Sequence, residues 1–169
     1  MNNPVVSVCI TTFNKQDYIE QALGSILSQK TNFEIEILIY DDASTDKTVQ
    51  IIKSYQENHK NIQLFTNSKN EYGNGLLGIN ERHLFPKAKG AYISMCDGDD
   101  YWTDESKLQH QVDFLNRNPE YIMCCHDGEV YYQKSNTFGP IYAKPFNNPI
   151  VTENIITMGG NLCPTSSIV

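Results

Sequence analysis

Three carboxylates lie within four residues of one another, at Asp97, Asp99 and Asp100, with Gly98 between the first two. They directly follow an apolar run, Ala91–Met95, which is typical of a strand. Acids at the carboxyl end of a strand lie where open α/β sheets bind ligands. Their repulsion is costly unless a divalent cation, a cationic partner or solvent offsets it, and oxygen donors favour Mg²⁺ or Mn²⁺. A solvated acidic turn is the alternative interpretation, because Asp and Gly are also common turn residues.

Strands and helices alternate along the chain in the pattern that its apolar residues predict. Runs of β-branched residues indicate strands, and apolar residues that recur every three or four positions indicate amphipathic helices. This order favours a parallel α/β sheet with right-handed connections. We predict strands at Val5–Thr12, Ile35–Tyr40, Ile62–Phe65, Ala91–Met95 and Tyr121–Cys125, helices at about Asp17–Gln29, Lys47–Asn58, Leu76–Phe85 and Asp104–Asn116, and a last strand at Thr165–Val169.

Polar groups follow three of these strands, and the carboxyl ends of parallel strands meet at one edge of a sheet. The first strand is followed by Thr11 to Asn14, the second by Asp41 and Asp42, and the fourth by the acidic cluster. Their convergence favours a site for a nucleotide and a metal. In such a site Asp42 would accept hydrogen bonds from a ribose or a base, and Thr11 and Phe13 would line the base pocket. Capping of the next helix is the alternative role for Asp41 and Asp42.

Composition limits the possible functions. A chain of 169 residues with 40% apolar and 20% charged residues is typical of one soluble globular domain. A net charge of −7 argues against non-specific binding of nucleic acid, but it permits a phosphate-bearing ligand when a metal provides the positive charge. We expect a cytoplasmic protein with no transmembrane segment, because neither a basic leader nor a membrane-length apolar run is evident. The five cysteines are expected to be free thiols.

Four motifs, taken together, resemble the successive signatures of family 2 glycosyltransferases. The stretch Asp97–Trp102 and the helix that follows it are similar to a bacterial branch that builds surface polysaccharides. The resemblance covers about residues 4–127, and the order and spacing of the motifs make it specific. The four motifs are Val6–Asn14, Asp41–Asp46, Gly90–Ile93 and Asp97–Asp100.

This resemblance implies a GT-A fold, a Rossmann-like three-layer sandwich, and transfer of a sugar from a nucleotide donor with inversion at the anomeric carbon. UDP-sugars are the favoured donors, and a saccharide or lipid-linked molecule is the implied acceptor. Asp99, together with Asp100, would coordinate Mn²⁺ or Mg²⁺, and Asp97 would face the sugar or the ribose. The donor-binding residues would be Thr11, Phe13, Asn14, Asp41, Asp42, Arg82 and Asp97. For Arg82, an exposed helical arginine is the alternative interpretation.

Inverting transfer also needs a general base, which the family provides from its acceptor half. Glu129, Glu153 and His126 are the candidates after residue 120, but none lies in a recognised motif, so we expect the base beyond Val169. Residues 1–127 are then the nucleotide-sugar-binding core. Residues 128–169 are the start of the acceptor-side region of the same domain, in a truncated chain whose full-length form associates with the membrane surface. A nucleotidyltransferase and a non-catalytic nucleotide-sugar-binding module are the alternatives.

Overall fold

A parallel four-stranded sheet forms the centre of the computed structural model, which describes residues 4–141 and 163–169. The parallel strands are β1 (Val6–Thr12), β2 (Ile35–Asp41), β3 (Ile62–Thr66) and β4 (Tyr92–Asp97), and the helices are α1 (Ile19–Leu27), α2 (Thr48–Asn58) and α3 (Lys107–Arg117). The strand order in the sheet is β3–β2–β1–β4. An antiparallel hairpin of β5 (Glu129–Tyr132) and β6 (Thr137–Ile141) follows the sheet.

Alternate residues of the central strands enter two separate cores, because successive side chains of a strand point to opposite faces. On one face, Ile10 and Ile39 pack with the apolar sides of all three α-helices. On the other face, Leu38 packs with Ile79 and Leu84 of the crossover between β3 and β4. The predicted α/β class and its three layers are confirmed. Within the described residues, no helix has the length and apolar character needed to cross a membrane.

The segment Leu76–Phe85 does not form the regular α-helix that the sequence predicts. It contains a five-residue π-helix, Asn80–Leu84, which runs directly into a 3₁₀ turn at Phe85–Lys87. Gly78 has a φ of +71°, which an α-helix does not permit, so the regular spiral cannot begin at Leu76. The second helical layer of the sandwich is therefore short and irregular.

The predicted fifth strand at Tyr121–Cys125 is wrong, and so is the predicted strand at Thr165–Val169. The last segment is a 3₁₀ turn, Thr165–Ser167, followed by extended residues that lie beside β4. Ser94 Oγ donates a hydrogen bond to Ile168 O over 2.9 Å. Cys124 exchanges two backbone hydrogen bonds with Val169, of 2.8 and 2.9 Å. The place beside β4 is thus occupied by the last residues of the chain, which holds residues 121–125 away from the sheet.

A closed polar network joins the amino ends of β1, β2 and β4. The buried carboxylate of Glu36 accepts hydrogen bonds from Ser7 Oγ at 2.6 Å and from the backbone N–H of Lys89 at 2.7 Å. The N–H of Gly90 donates to Ser7 Oγ over 2.8 Å. A side chain at Gly90 would place its Cβ 2.5 Å from the backbone nitrogen of Ser7, so the entry into β4 requires glycine.

Candidate functional site

The carboxyl ends of β1 and β4 lie side by side at the point where the strand order reverses. β1 leads through α1 to β2 on one side, whereas β4 pairs with β1 on the other side. Open α/β sheets bind their ligands at such a switch point. Thr11 is the register partner of Asp97, and its hydroxyl donates a 2.9 Å hydrogen bond to Asp97 Oδ1. The predicted convergence of the first and fourth strand ends is confirmed.

A tight turn at Asp97–Asp100, the acidic turn, holds the three carboxylates at this edge. The N–H of Gly98 donates to Thr11 O over 2.9 Å, and the N–H of Asp100 donates to Asp97 O over 3.0 Å. A Cβ at position 98 would lie 2.5 Å from Thr12 Oγ1 and 2.7 Å from Thr12 Cβ, so a glycine is needed for this close approach. Burial raises the pKa of the Asp97 carboxyl, and the charges of Asp100 and Asp99 add to that rise. Asp97 is therefore the innermost acid of the turn.

Each of the three acids engages the protein through one oxygen. Asp97 accepts from Thr11, Asp99 Oδ2 forms an ion pair with Lys15, and Asp100 Oδ2 accepts a hydrogen bond from Ser166. Across residues 4–141 and 163–169, the second oxygen of each carboxylate has no hydrogen-bond partner. In the described contacts each carboxylate therefore keeps one unpaired oxygen, and those of Asp99 and Asp100 belong to exposed side chains.

The arrangement of these acids fits a metal that arrives together with a phosphate ligand. Among the described residues, no group of three or more His, Cys, Asp or Glu side chains converges as a metal cluster. Mg²⁺ is commonly held by only one or two carboxylates together with substrate phosphates and water. Asp99 and Asp100 are both solvent-exposed, so they can meet such a ligand without rearrangement of the core. The donor set fits a shared protein–phosphate site better than a closed protein site.

Asn14 and Asp41 connect the loops that follow β1 and β2. The N–H of Asn14 donates to Ser44 Oγ over 2.8 Å, and Asn14 Oδ1 accepts the N–H of Thr45 over 2.8 Å. Asp41 is buried, and its carboxylate accepts both the N–H and the hydroxyl of Ser44. Burial raises the pKa of Asp41, although the hydrogen bonds from Ser44 oppose that rise. Within the described contacts, both predicted donor-binding residues support the edge of the sheet.

Asp42 and Phe13, two further predicted donor-binding residues, differ in their surroundings. The buried carboxylate of Asp42 accepts the N–H of Glu71 at 2.8 Å and that of Tyr72 at 2.9 Å. These bonds fasten the 3₁₀ turn Tyr72–Asn74 beside the end of β2. Phe13 is 39% exposed, so its ring lies at the surface directly after β1. Phe13 is accessible to a ligand, whereas Asp42 lies beneath the loop that it holds.

Arg82 belongs to a separate cluster in the crossover between β3 and β4. Its guanidinium donates to Glu71 Oε2 over 2.8 Å and also contacts Leu77 O. His83 Nε2 shares the same Glu71 oxygen at 2.8 Å. Hydrogen bonds from His83, and then from Arg82, lower the pKa of Glu71. None of the hydrogen bonds and ion pairs described for Arg82 reaches the acidic turn.

Two residues that contact the acidic turn are absent from the sequence-based assignment. Lys15 pairs with Asp99, and its signal was available, since it is the only lysine between Thr11 and Asp17. Ser166 donates to Asp100 and accepts the N–H of Asp97 at 3.3 Å. Ser166 is 66 positions from Asp100, so no local pattern identifies it.

Trp102 and Lys107 form a buried support beneath the acidic turn. Trp102 is 7% exposed, and its indole N–H donates to Ser166 O over 2.7 Å, so it packs in the core. The ammonium of Lys107 lies 4.1 Å from the centre of the Trp102 ring and donates to Ser94 Oγ over 3.3 Å. Burial lowers the pKa of Lys107 to about 7, and none of the ion pairs among residues 4–141 and 163–169 involves this ammonium.

An open parallel sheet with a switch point between β1 and β4 defines the class of doubly wound α/β domains, which bind ligands at that edge. The chain belongs to the family described as glycosyl transferase family 2, whose model matches residues 7–158. A solved structure of TarS from S. aureus in complex with UDP-GlcNAc is similar over 68% of this chain and 32% of that one, with a TM-score of 0.59 and 28% identity. The GT-A fold that the sequence motifs imply is therefore confirmed.

Two curated relatives match most of this chain. A protein of Mycobacterium tuberculosis is 37% identical over 139 residues, which cover 80% of this chain and 39% of the relative. The Escherichia coli protein WfaP is 32% identical over 141 residues, or 83% of this chain and 52% of its own. WfaP is named as a UDP-Glc:α-D-GlcNAc-diphosphoundecaprenol β-1,3-glucosyltransferase. This chain thus spans about two fifths to one half of the length of these relatives.

Proposed function

We propose that this chain is the donor-binding part of a metal-dependent, inverting glycosyltransferase. The observation that carries the proposal is the pairing of Thr11 with Asp97 at the switch point, within an acidic turn whose second carboxylate oxygens are unpaired in the described contacts. Family membership supports sugar transfer as the reaction class, in preference to nucleotidyl transfer. The enzyme would move a sugar from a nucleoside diphosphate to a saccharide or lipid-linked acceptor in polysaccharide biosynthesis.

In this proposal the nucleotide lies along the carboxyl edge of β1 and β2. Phe13 is exposed there and offers a ring to the base, while Thr11 lies between the base and the acidic turn. Asp42 would act on the base or ribose, in addition to holding the loop at Glu71. The UDP-GlcNAc complex of TarS and the UDP-Glc donor in the name of WfaP support a UDP-sugar.

Asp99, with Asp100, would hold Mn²⁺ or Mg²⁺ beside the donor diphosphate, and Asp97 would face the sugar or ribose. A divalent ion at this place supplies Lewis acid chemistry, which stabilises negative charge on a diphosphate leaving group. The protein contributes the orientation. Thr11 and Ser166 each fix one oxygen of the acidic turn, and the backbone bonds of Gly98 and Asp100 set its curvature.

We assign residues 128–169 to the acceptor side of the same domain. The hairpin of β5 and β6 contacts the acidic turn through Tyr101, whose ring meets Tyr131 edge-on with 6.5 Å between centroids. Phe138 follows at 5.0 Å from Tyr131 and is 58% exposed. Exposed aromatic rings beside the donor site suit the apolar face of a sugar. WfaP acts on a lipid-linked sugar by its name, which supports a lipid-linked acceptor and peripheral membrane association of the full-length protein.

The general base stays a prediction. Glu129 is exposed at the start of β5, and His126 Nδ1 lies 2.6 Å from Asp127 O. Glu153 lies outside the described residues. We keep the expectation that the base lies beyond Val169.

Calorimetric titration of UDP tests the donor and metal assignments together. We expect UDP to bind in the presence of Mn²⁺ and much more weakly in EDTA. Asp99→Asn should lower the affinity for UDP with Mn²⁺ at least about tenfold, because it removes a metal ligand. Glu105→Gln is the matched control, since Glu105 is an exposed acid that pairs only with Lys30 in the described contacts. UDP affinity that ignores both Mn²⁺ and Asp99→Asn would overturn the proposal.

A further inference from the structure

Lys15 places a cation on the carboxylate that the proposed function assigns to the metal. The ammonium of Lys15 pairs directly with Asp99 Oδ2. The two side chains are 33% and 40% exposed, so the pair lies at the surface of the site and remains accessible to an incoming ligand. In the part of the chain that the structure describes, no other ion pair reaches Asp97, Asp99 or Asp100.

The backbone of Lys15 is held firmly, whereas its side chain can rotate. Its N–H donates to Thr48 Oγ1 over 2.8 Å, and its carbonyl accepts the N–H groups of Tyr18 and Ile19 over 3.0 and 2.9 Å. The aliphatic stem of a lysine is flexible, and its ammonium is a point charge that changes partner without loss of geometry. The ammonium can therefore leave Asp99 while the main chain stays in place.

We propose that Lys15 is an exchangeable counter-ion for Asp99. It neutralises the acidic turn when no donor is bound, competes with a free divalent cation for Asp99, and moves to the donor diphosphate when metal and donor bind together. This inference rests on the proposed function and adds to it an order of binding. Lys15 disfavours the binding of free metal and favours the binding of metal together with the donor diphosphate. The physical reason is charge: an ammonium and a divalent cation repel each other at one carboxylate, but both are attracted to a diphosphate.

The alternative is that Lys15 merely clamps the acidic turn to the start of α1. The two roles predict opposite changes in the affinity for free Mn²⁺ when the charge of Lys15 is removed. Removal of a clamp would disorder Asp99 and weaken the binding of every ligand. Removal of a competing counter-ion would strengthen the binding of free Mn²⁺ and weaken that of the diphosphate.

The experiment measures two affinities in Lys15→Met, which keeps the length of the stem and removes the charge. Binding of Mn²⁺ alone is followed by the loss of its free EPR signal, and binding of UDP at saturating Mn²⁺ is followed by calorimetry. We expect the affinity for Mn²⁺ alone to rise about two- to fivefold, in the range of an exposed ion pair, and the affinity for UDP to fall about threefold or more.

Lys30→Met is the matched control, because it removes an exposed lysine from a surface ion pair with Glu105 and changes the net charge equally. It should leave both affinities unchanged. Lys15→Met combined with Asp99→Asn should bind Mn²⁺ no more tightly than Asp99→Asn alone, since the carboxylate for which the two cations compete is gone.

The possible results separate this inference from the function on which it rests. Parallel losses of both affinities in Lys15→Met, or values equal to those of Lys30→Met, overturn the counter-ion role while the wild-type protein still binds UDP with Mn²⁺. Absence of Mn²⁺-dependent UDP binding in the wild-type protein overturns the proposed function itself. A circular dichroism melt of each variant shows whether it is folded at the temperature of the titration.

Discussion

Glu36 is buried at the amino ends of β1, β2 and β4. Its Oε1 accepts hydrogen bonds from Ser7 and Lys89, and its Oε2 accepts one from Gln63. At the carboxyl ends of the same strands, each acid of the turn uses only one oxygen in the described contacts, and Asp99 and Asp100 are exposed. In the first arrangement, both oxygens of Glu36 form hydrogen bonds that stabilise the fold. The second leaves oxygens for a ligand.

This difference shows which carboxylates can bind a ligand without cost to the fold. A buried acid whose oxygens are all paired cannot be moved without leaving polar groups unsatisfied. A half-paired acid at the surface exchanges its partner with little penalty. By their hydrogen bonds Asp41 and Asp42 resemble Glu36, because both are buried and both oxygens of each carboxylate are paired. They differ from Glu36 in their position, since they lie at the carboxyl end of β2.

The largest expected effect is a loss of stability at the amino ends of the strands, where Glu36 is fully paired. Glu36→Ala should lower the free energy of unfolding by about 3 kcal/mol, because it leaves the buried Ser7 hydroxyl without its acceptor and the Lys89 N–H with only the 3.2 Å hydrogen bond to Ser7 Oγ. Urea denaturation followed by fluorescence of Trp102 measures this change. Asp99→Ala, at the carboxyl ends of the strands, should change the free energy of unfolding by less than about 0.5 kcal/mol. Equal losses in the two variants would refute the contrast between the ends.

The next effect is a pH dependence that arises beneath the acidic turn. Burial gives Lys107 a folded-state pKa of about 7, below the ordinary lysine value of 10.5. Between these values the unfolded chain binds more protons than the folded one, so stability should rise with pH, by about 1–2 kcal/mol from pH 7 to pH 8.5. Urea midpoints over this range measure the slope. Lys107→Met should remove most of it, and a slope that persists in this variant would contradict the assignment.

The smallest effect concerns the anchor that the last residues provide for the acidic turn. Ser166→Ala removes the hydroxyl that bonds Asp100 and the N–H of Asp97. We expect stability to fall by about 1 kcal/mol and the affinity for UDP with Mn²⁺ to fall several-fold, because the turn loses its fixed curvature. Ser54→Ala is the control, since its exposed hydroxyl bonds only Ile51 O of its own helix in the described contacts. Unchanged UDP affinity in Ser166→Ala would show that the acidic turn keeps its conformation without the Ser166 hydroxyl.

Local patterns predicted most of the sheet and its helices. The strands β1 to β4 and the helices α1, α2 and α3 all begin and end within a few residues of their predicted bounds. Strand and helix periodicities are read from neighbouring residues, so no distant contact is needed. All five cysteines are free thiols in the structure.

The wrong predictions have a common cause. Tyr121–Cys125 has the composition of a strand, but the place beside β4 is taken by Ile168 and Val169, which follow more than forty residues later. Ile122 is 97% exposed as a result. Competition between two apolar segments for one sheet edge is decided by packing and by hydrogen bonds such as that from Ser94, which neither segment reveals by itself.

The sequence by itself determined the α/β class and the convergence of the polar residues after the first, second and fourth strands, because the carboxyl ends of parallel strands lie at one edge of the sheet. The tertiary structure decided that β1 and β4 are neighbours, which pairs Thr11 with Asp97. Only the tertiary structure decided how each acid is used. It assigned Asn14, Asp41 and Asp42 to loop contacts, Arg82 to Glu71 and Lys15 to Asp99. The physical reason is that hydrogen-bond and ion-pair partners are chosen by distance in the folded chain, and those partners are up to 84 positions away in sequence.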